Sequence, residues 1–159
     1  ARHPHPRGRS VRRGDRLRTA IEGASGIYLP DRLHDVRIAV KKLRYALELV
    51  NELSGSRGTR PAQASARAKT MKAQLKMLSR VQDALGRMHD LEILIARTRG
   101  VQGAPGAPTL KLSGELDPLV RRFETECRQL HGQYMASRRA LLEISDRAIA
   151  ASATSASAA

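Results

Sequence analysis

Hydrophobic residues in the first third of the chain recur at spacings of three and four, which is the period of one face of an α-helix. These positions are Leu33, Val36, Val40, Leu43, Leu47 and Val50. Basic side chains fill the neighbouring arc on successive turns, and they are His34, Arg37, Lys41 and Arg44. The pattern predicts a helix over residues 31–53 with Asp31 as its N-cap. The apolar arc is expected to pack into the core of a helical bundle. The basic side chains repeat on successive turns, so they suit a polyanion, whose negative charges also repeat.

A second long helix is predicted over residues 62–98, after a loop rich in Ser, Gly and Pro. Its apolar face is Met71, Leu75, Leu78, Gln82, Leu85, His89, Ile93 and Ala96. A second basic row is Lys69, Lys72, Lys76, Arg80 and Arg87. Because both rows hold the same position relative to their apolar faces, we expect the two helices to line a common groove. Gly86 is interpreted as a kink or a close helix contact, and His89 as a core histidine rather than a ligand contact.

Two further helices are predicted nearer the ends of the chain. A short basic helix covers residues 10–22, and the last helix covers residues 115–150 with Pro118 in its first turn. The apolar face of the last helix is Leu119, Phe123, Cys127, Leu130, Tyr134 and Leu141. Four basic residues flank that face, namely Arg121, Arg128, His131 and Arg138. Residues 1–8 and the Ala/Ser tail 151–159 are predicted to be disordered, and residues 100–114 to be a linker.

No stretch alternates between apolar and polar residues as a strand does, so the predicted fold class is all-α. The expected architecture is an antiparallel helical bundle of three long helices plus a short N-terminal helix. At 159 residues the chain is expected to hold one main domain. We divide it into a basic N-terminal segment with a short helix at residues 1–24, the bundle at 25–150, and the tail at 151–159.

Charge narrows the classes of partner. The chain has 29 Lys and Arg against 15 Asp and Glu, a formal net charge of +14. Such a field attracts nucleic acid, anionic lipid or inorganic polyphosphate. Only 3% of residues are aromatic, which argues against single-strand nucleic-acid binding by stacking and against aromatic-anchored membrane helices. The few acids near the rows are expected to hold arginines in place, Glu48 with Arg44 and Asp83 with Arg80 or Arg87.

Motifs for catalysis or metal binding are missing from the sequence. Cys127 is the single cysteine, so no disulfide framework forms within the chain, which fits a reducing cytoplasm. No two histidines have the helical spacing of a zinc pair, and no serine, carboxylate pair or phosphate-binding glycine loop suggests catalysis. We therefore expect no metal, no cofactor and no enzymatic activity. No apolar run has the length of a membrane span, so no membrane partner is expected.

Two strings of residues resemble a known family. LHDVRIAVKKLRYALEL, followed by LKMLSRVQDALGRMHDLEIL, resembles the second half of a CHAD domain, the conserved histidine α-helical domain. The matching pieces are His34 with Arg37, the stretch from Lys41 to Tyr45, and Leu85-Gly86 before His89-Asp90. The resemblance implies a helical bundle with a basic, His-bearing surface that binds inorganic polyphosphate. A complete member of the family usually has two such bundles, and one is recognisable here.

The expected function is binding of inorganic polyphosphate through a basic, His-containing face. The candidate contacts are His34, Arg37, Lys41, Lys42, Arg44, Lys69, Lys72, Lys76 and Arg80, with His131 and Arg138 as a third side. One alternative is a nucleic-acid-binding protein without sequence specificity, in which case nucleic acid competes for the same surface. Another is an adapter that docks a second CHAD bundle or a further copy of the chain. The expected location is the cytoplasm, with polyphosphate granules as one place within it.

Overall fold

Four α-helices build the structure, a computed structural model that describes residues 6–24, 26–54, 61–104 and 110–156. They are α1 (Pro6–Gly23), α2 (Pro30–Ser54), α3 (Pro61–Gln102) and α4 (Leu110–Ala156). Helix α1 packs against α2 and α4, and α3 packs against the same two helices. Helices α2 and α3 are antiparallel, because Arg44 contacts Gln82 whereas the earlier residue His34 contacts the later residue His89. Helices α3 and α4 are antiparallel in the same way, since Gln102 contacts Asp117 and Arg87 contacts Glu126. The described residues contain no strand, so the predicted all-α bundle is confirmed.

The start of α2 differs from the prediction in its capping residue. The main-chain N–H of Leu33 donates to the carbonyl of Leu29 at 3.1 Å, which makes Leu29 the N-cap and Pro30 the first helical residue. Proline suits this position because its φ is already helical and its missing N–H would have no partner there. Asp31 was wrongly predicted as the N-cap. It lies in the first turn, where its negative charge favours the helix dipole.

The outer boundaries were predicted too conservatively. Helix α3 continues to Gln102 and α4 covers Leu110–Ala156, so residues 100–102 and 110–114 of the predicted linker and residues 151–156 of the predicted tail are helical. Residues 105–109 of that linker, and residues 55–60 of the predicted loop before α3, lie outside the described residues. Alanine has the highest helix propensity, and a run rich in it extends a helix that packing has already begun. Helix α1 begins at Pro6, so residues 6–8 are helical as well. Residues 1–5 and 157–159 lie outside the described part of the chain.

Helix α1 is part of the bundle rather than a separate segment. Leu17 and Ile21 are fully buried and belong to the same core cluster as the apolar residues of α2, α3 and α4. Gly14 is buried where α1 crosses α4, close to the main-chain oxygen of Ser145. The division that we placed after residue 24 therefore separates two helices that share one core.

The core confirms the predicted face of α2 and corrects that of α3. The predicted apolar residues of α2 from Leu33 to Leu47 are buried, and Val50 is half-buried. In α3 the buried residues are Leu78, Val81, Leu85, Met88 and Leu91. Ile93, which we placed on the apolar face, is 39% exposed, and Gln82 and His89 are half-buried. The buried face of α3 is therefore rotated about the helix axis relative to the predicted apolar face.

The apolar face of α4 is predicted largely correctly. Cys127, Tyr134 and Leu141 are buried as predicted, whereas Leu119 is 40% exposed.

None of the described helices combines the length and apolar character needed to cross a membrane.

Candidate functional site

The basic row of α2 lies along the flank that faces solvent and α3. Lys41 is exposed, and His34, Arg37 and Arg44 are half-buried. Arg37 and Lys41 lie on adjacent turns and form no ion pair with any described residue. An arginine or lysine without a carboxylate partner keeps its full attraction for an anion, because no internal charge offsets it. We call His34, Arg37, Lys41 and Arg44 the α2 row.

Arg44 is the most firmly held member of the α2 row. Its Nε donates to Oε1 of Gln82 on α3 at 3.0 Å, and its Nη1 donates to Oε1 of Glu48 at 3.0 Å. Its guanidinium carbon lies 4.8 Å from the centre of the Tyr45 ring, a cation–π contact. The predicted pairing of Glu48 with Arg44 is confirmed. Three partners therefore fix one orientation of this guanidinium at the junction of α2 and α3.

Gly86 of α3 lies beside Arg37 at the same junction. A Cβ atom built on Gly86 would lie 3.9 Å from Nε of Arg37, and it would meet nothing else within 4 Å. The Arg37 side chain therefore lies beside Gly86 on α3, at an ordinary van der Waals distance from an added Cβ. This contact does not require a glycine, and the interpretation of Gly86 as a kink or a close helix contact stays a prediction.

The basic row of α3 does not line a common groove with the α2 row. Side chains that approach α2 come from the side of α3 that carries Gln82 and His89. A helix turns by about 100° per residue, so Arg80 and Lys76 project from α3 more than about 100° away from Gln82. Lys69, Lys72, Lys76 and Arg80 are all exposed and pair with no described residue. The prediction was wrong because it followed from the misplaced apolar face of α3.

Arg87 shows directly that the basic row of α3 points away from α2. Its Nε donates to Oε1 of Glu126 on α4 at 2.7 Å, so this member of the α3 row reaches toward α4. The hydrogen bond to Arg87 lowers the pKa of Glu126, and the same bond raises the pKa of Arg87. Asp83, the acid predicted to hold Arg80 or Arg87, forms no ion pair with a described residue.

Histidine and tyrosine side chains connect three helices at the start of α2. The rings of His34 and His89 lie 5.0 Å apart, and Nδ1 of His89 lies 4.0 Å from Glu92. Glu92 accepts a hydrogen bond of 2.5 Å from the hydroxyl of Tyr28, and the Tyr28 ring meets His131 of α4 edge-on at 5.3 Å. His89 is 34% exposed, so the prediction of a core histidine was wrong. This network joins His131 to the end of the α2 row.

Four buried polar atoms near this network have no hydrogen-bond partner among the described residues. They are Nδ1 of His34, Nε2 of His131, the hydroxyl of Tyr134 and Nε of Arg138. Burial raises the pKa of Tyr134, which keeps its hydroxyl neutral. No described contact joins Arg138 to the α2 row, so the predicted third side is only partly assembled. The described residues also hold no group of three or more His, Cys, Asp or Glu placed to bind one metal ion.

Sequence reasoning missed Tyr28, and it included Tyr45 only as the end of a stretch that resembles the CHAD family, not as a candidate contact. Tyr28 precedes α2 in a short connector, where no periodic pattern marks a residue as important. Tyr45 lies within the basic row, and a single exposed tyrosine in a helix is not by itself a signal of binding. Its role is visible only from the positions of Lys41 and Arg44, whose charged groups lie 5.9 and 4.8 Å from its ring centre.

Comparison of the chain with models of known protein families gives a match. A family model for the CHAD domain matches residues 7–99, a span that includes α1, the α2 row and Gly86. The match covers more than half of the chain. The chain belongs to the CHAD family. The match ends within α3, so α4 of this CHAD chain lies beyond it. No curated protein and no solved structure matches the chain.

Replacing Tyr28 by Phe is expected to lower the free energy of unfolding by about 1 kcal/mol at pH 7, because the hydrogen bond to Glu92 is lost. Burial, and next the bond to Glu92, raise the pKa of Tyr28. A raised pKa stabilises the fold fully below the ordinary tyrosine pKa of about 10 and progressively less above it. Urea unfolding at pH 7, 9 and 10.5 is therefore expected to show a smaller loss of stability with pH in Tyr28→Phe than in the wild type.

The matched control is Tyr45→Phe, because the exposed Tyr45 hydroxyl has no hydrogen bond with a described residue. This variant is expected to keep the wild-type stability at pH 7. Equal stability of Tyr28→Phe and the wild type at every pH would contradict the assigned hydrogen bond.

Proposed function

We propose that this CHAD-family chain binds inorganic polyphosphate on the α2 row and does not hydrolyse it. Membership of the CHAD family supports the proposal. The observation that carries it is the pair Arg37 and Lys41, two cations on adjacent turns without a carboxylate partner among the described residues. Arg44 stands beside them in a fixed orientation, and His34 continues the row toward the start of α2.

The chemistry of polyphosphate fits such a row. The polymer repeats one anionic group with nothing else to recognise, so a binding site needs cations at regular intervals. One helical turn advances about 5.4 Å, and side chains on successive turns therefore present charge at a steady spacing. Arginine binds phosphate oxygens with a planar fork of donors, and lysine acts as a point charge. Binding of this kind releases counterions and weakens steeply as salt rises.

The arrangement of the α3 row changes where we place the ligand. Lys69, Lys72, Lys76 and Arg80 project away from the α2 row, so we do not include them in the same contact surface. Their exposed charges add to the long-range field that draws an anion toward the chain. In this proposal the residues that contact polyphosphate are those of the α2 row, Lys42 on the same helix, and His131 of the histidine and tyrosine network.

A competition titration tests the function. Labelled long-chain polyphosphate is bound to the full chain at about 0.15 M salt, near the physiological ionic strength, and is displaced by unlabelled polyphosphate, duplex DNA or heparin. We expect polyphosphate to compete at least about tenfold better than DNA at equal phosphate concentration. Its phosphates are more densely packed, and it is flexible enough to follow one helix.

Two outcomes would contradict the proposal. Equal competition by duplex DNA would favour the alternative, a nucleic-acid-binding surface without sequence specificity. Release of orthophosphate during the titration, in proportion to the chain concentration, would show that the chain is an enzyme.

A further inference from the structure

A groove between α1 and α2 lies on the other side of α2 from α3. It has a volume of about 470 Å³ and is bordered along α1 by residues from Arg13 to Ala20 and along α2 by residues from His34 to Lys42. Small-molecule sites in proteins have volumes of about 300–1,000 Å³ and often lie between the helices of a bundle. The groove is therefore of the right size for a nucleotide-sized ligand.

One part of the groove is basic. Arg13, Arg16 and Lys42 line it, and Nη1 of Arg13 donates to the main-chain oxygen of Lys42 at 2.7 Å. This bond ties the Arg13 side chain to α2 across the rim. Arg16 and Lys42 are exposed and form no ion pair with a described residue. The three cations thus offer a place for a phosphate group.

The rest of the groove is unlike a polyphosphate site. Its floor is apolar, formed by Ala20, Ile38 and Ala39. Ile38 is half-buried yet does not belong to the core cluster, so its side chain is available to the groove. Two carboxylates, Asp15 and Asp35, also line it and form no ion pair with a described residue. A bare phosphate polymer gains nothing from an apolar floor and is repelled by carboxylates.

His34 lies at the edge of the groove. It is one of the lining residues, and its ring centre also lies 5.0 Å from that of His89 on α3. It therefore stands between the groove and the α2 row.

We propose that this groove binds a nucleoside di- or triphosphate. The apolar floor receives the base, the carboxylate of Asp35 or Asp15 accepts a hydrogen bond from the ribose hydroxyls, and the three cations hold the phosphates. A carboxylate on the ribose and cations on the phosphates is a recurrent division of labour in nucleotide sites. This proposal does not depend on polyphosphate binding by the α2 row, although His34 and Lys42 belong to both proposed sites.

Calorimetric titration of the full chain with ATP, tripolyphosphate and adenosine tests the proposal. The variant Arg37→Ala/Lys41→Ala serves as the background, because it removes the centre of the α2 row and leaves the groove residues in place. We expect ATP to bind at least about fivefold more tightly than tripolyphosphate, which carries similar charge but has no base or ribose. Adenosine is expected to bind more weakly than ATP.

Variants within the groove separate its parts. Ile38→Ala is expected to weaken ATP binding at least about threefold and to leave tripolyphosphate unchanged. Arg16→Ala is expected to weaken both ligands. The matched control is Arg12→Ala, which removes the same charge from an exposed position of α1 outside the groove and is expected to change neither.

Three results would overturn the proposal. They are tripolyphosphate binding as tightly as ATP, equal loss of ATP affinity in Arg12→Ala and Arg16→Ala, and absence of ATP binding. Each of these leaves the polyphosphate proposal standing, since that is measured on the wild type with long-chain polyphosphate. Absence of polyphosphate binding with ATP binding retained would contradict the polyphosphate proposal and leave the nucleotide proposal standing.

Discussion

The variant Arg37→Ala/Lys41→Ala is expected to bind long-chain polyphosphate about 100-fold more weakly than the wild type at about 0.15 M salt. A hydrogen bond to a charged group contributes about 1.5–3 kcal/mol, so removing two contacts costs about 3 kcal/mol, and each 1.4 kcal/mol is a factor of ten. Neither side chain forms an ion pair with a described residue, so the fold should keep its stability. Fluorescence anisotropy of labelled polyphosphate measures the affinity, and circular dichroism checks the fold.

The matched control is Lys76→Ala/Arg80→Ala, which removes the same two charges from the exposed side of α3. Its affinity is expected to fall by about threefold or less, because only the long-range field is reduced. The slope of affinity against salt should also fall more in the α2 variant, by about one unit for each lost phosphate contact. Equal losses in the two variants would show that binding depends on overall charge and that no specific face exists.

Gly14→Ala is expected to lower the free energy of unfolding by about 2 kcal/mol, as overpacking at a tight contact does. An added Cβ would lie 2.9 Å from the main-chain oxygen of Ser145, 3.1 Å from Cγ1 of Ile149 and 3.3 Å from Cβ of Ala148. A main-chain oxygen inside a helix cannot move aside, so α1 and α4 must separate. The helix propensity of alanine returns up to about 1 kcal/mol, which the lost packing exceeds. Urea unfolding followed by circular dichroism measures the change.

Gly132→Ala is the control for Gly14→Ala. Gly132 is an exposed residue inside α4, and an added Cβ meets nothing within 4 Å. This variant is expected to gain about 0.5–1 kcal/mol of stability from helix propensity alone. If Gly14→Ala were stabilised to the same degree, the close crossing of α1 over α4 would be contradicted.

The periodic pattern predicted the helices well because burial of one apolar face is a local, repeated property of the chain. In α2, both the buried arc from Leu33 to Leu47 and the basic arc beside it were predicted correctly. The ends were harder to predict, since Leu29 and Pro30 begin α2 where Asp31 had the preferred side chain for a cap. Alanine-rich segments such as residues 151–156 have no apolar period, so their helicity follows from propensity and the preceding helix.

The candidate site likewise has one part that the sequence predicted correctly and one part that it did not. The α2 row was predicted because basic residues on successive turns of one helix share a face regardless of what packs nearby. The α3 row was correctly seen as a row, but its direction depended on which residues of α3 are buried. Gln82 and His89 have the spacing of core residues and nevertheless lie at the edge, since Val81, Leu85 and Met88 occupy the centre. An error of one residue in that choice turns a helix face by about 100°.

The sequence by itself determined the all-α class, the strongly basic character, the α2 row and the resemblance to the CHAD family, which the family comparison confirms. These are properties of composition and of residues close together in the chain. Only the tertiary structure decided that α1 shares the core, that the α3 row points away from α2, and that Arg37 lies beside Gly86. It also decided that α1 and α2 border a groove. Each of these depends on the rotation and closeness of helices far apart in the chain, which packing of the whole core sets and no local pattern records.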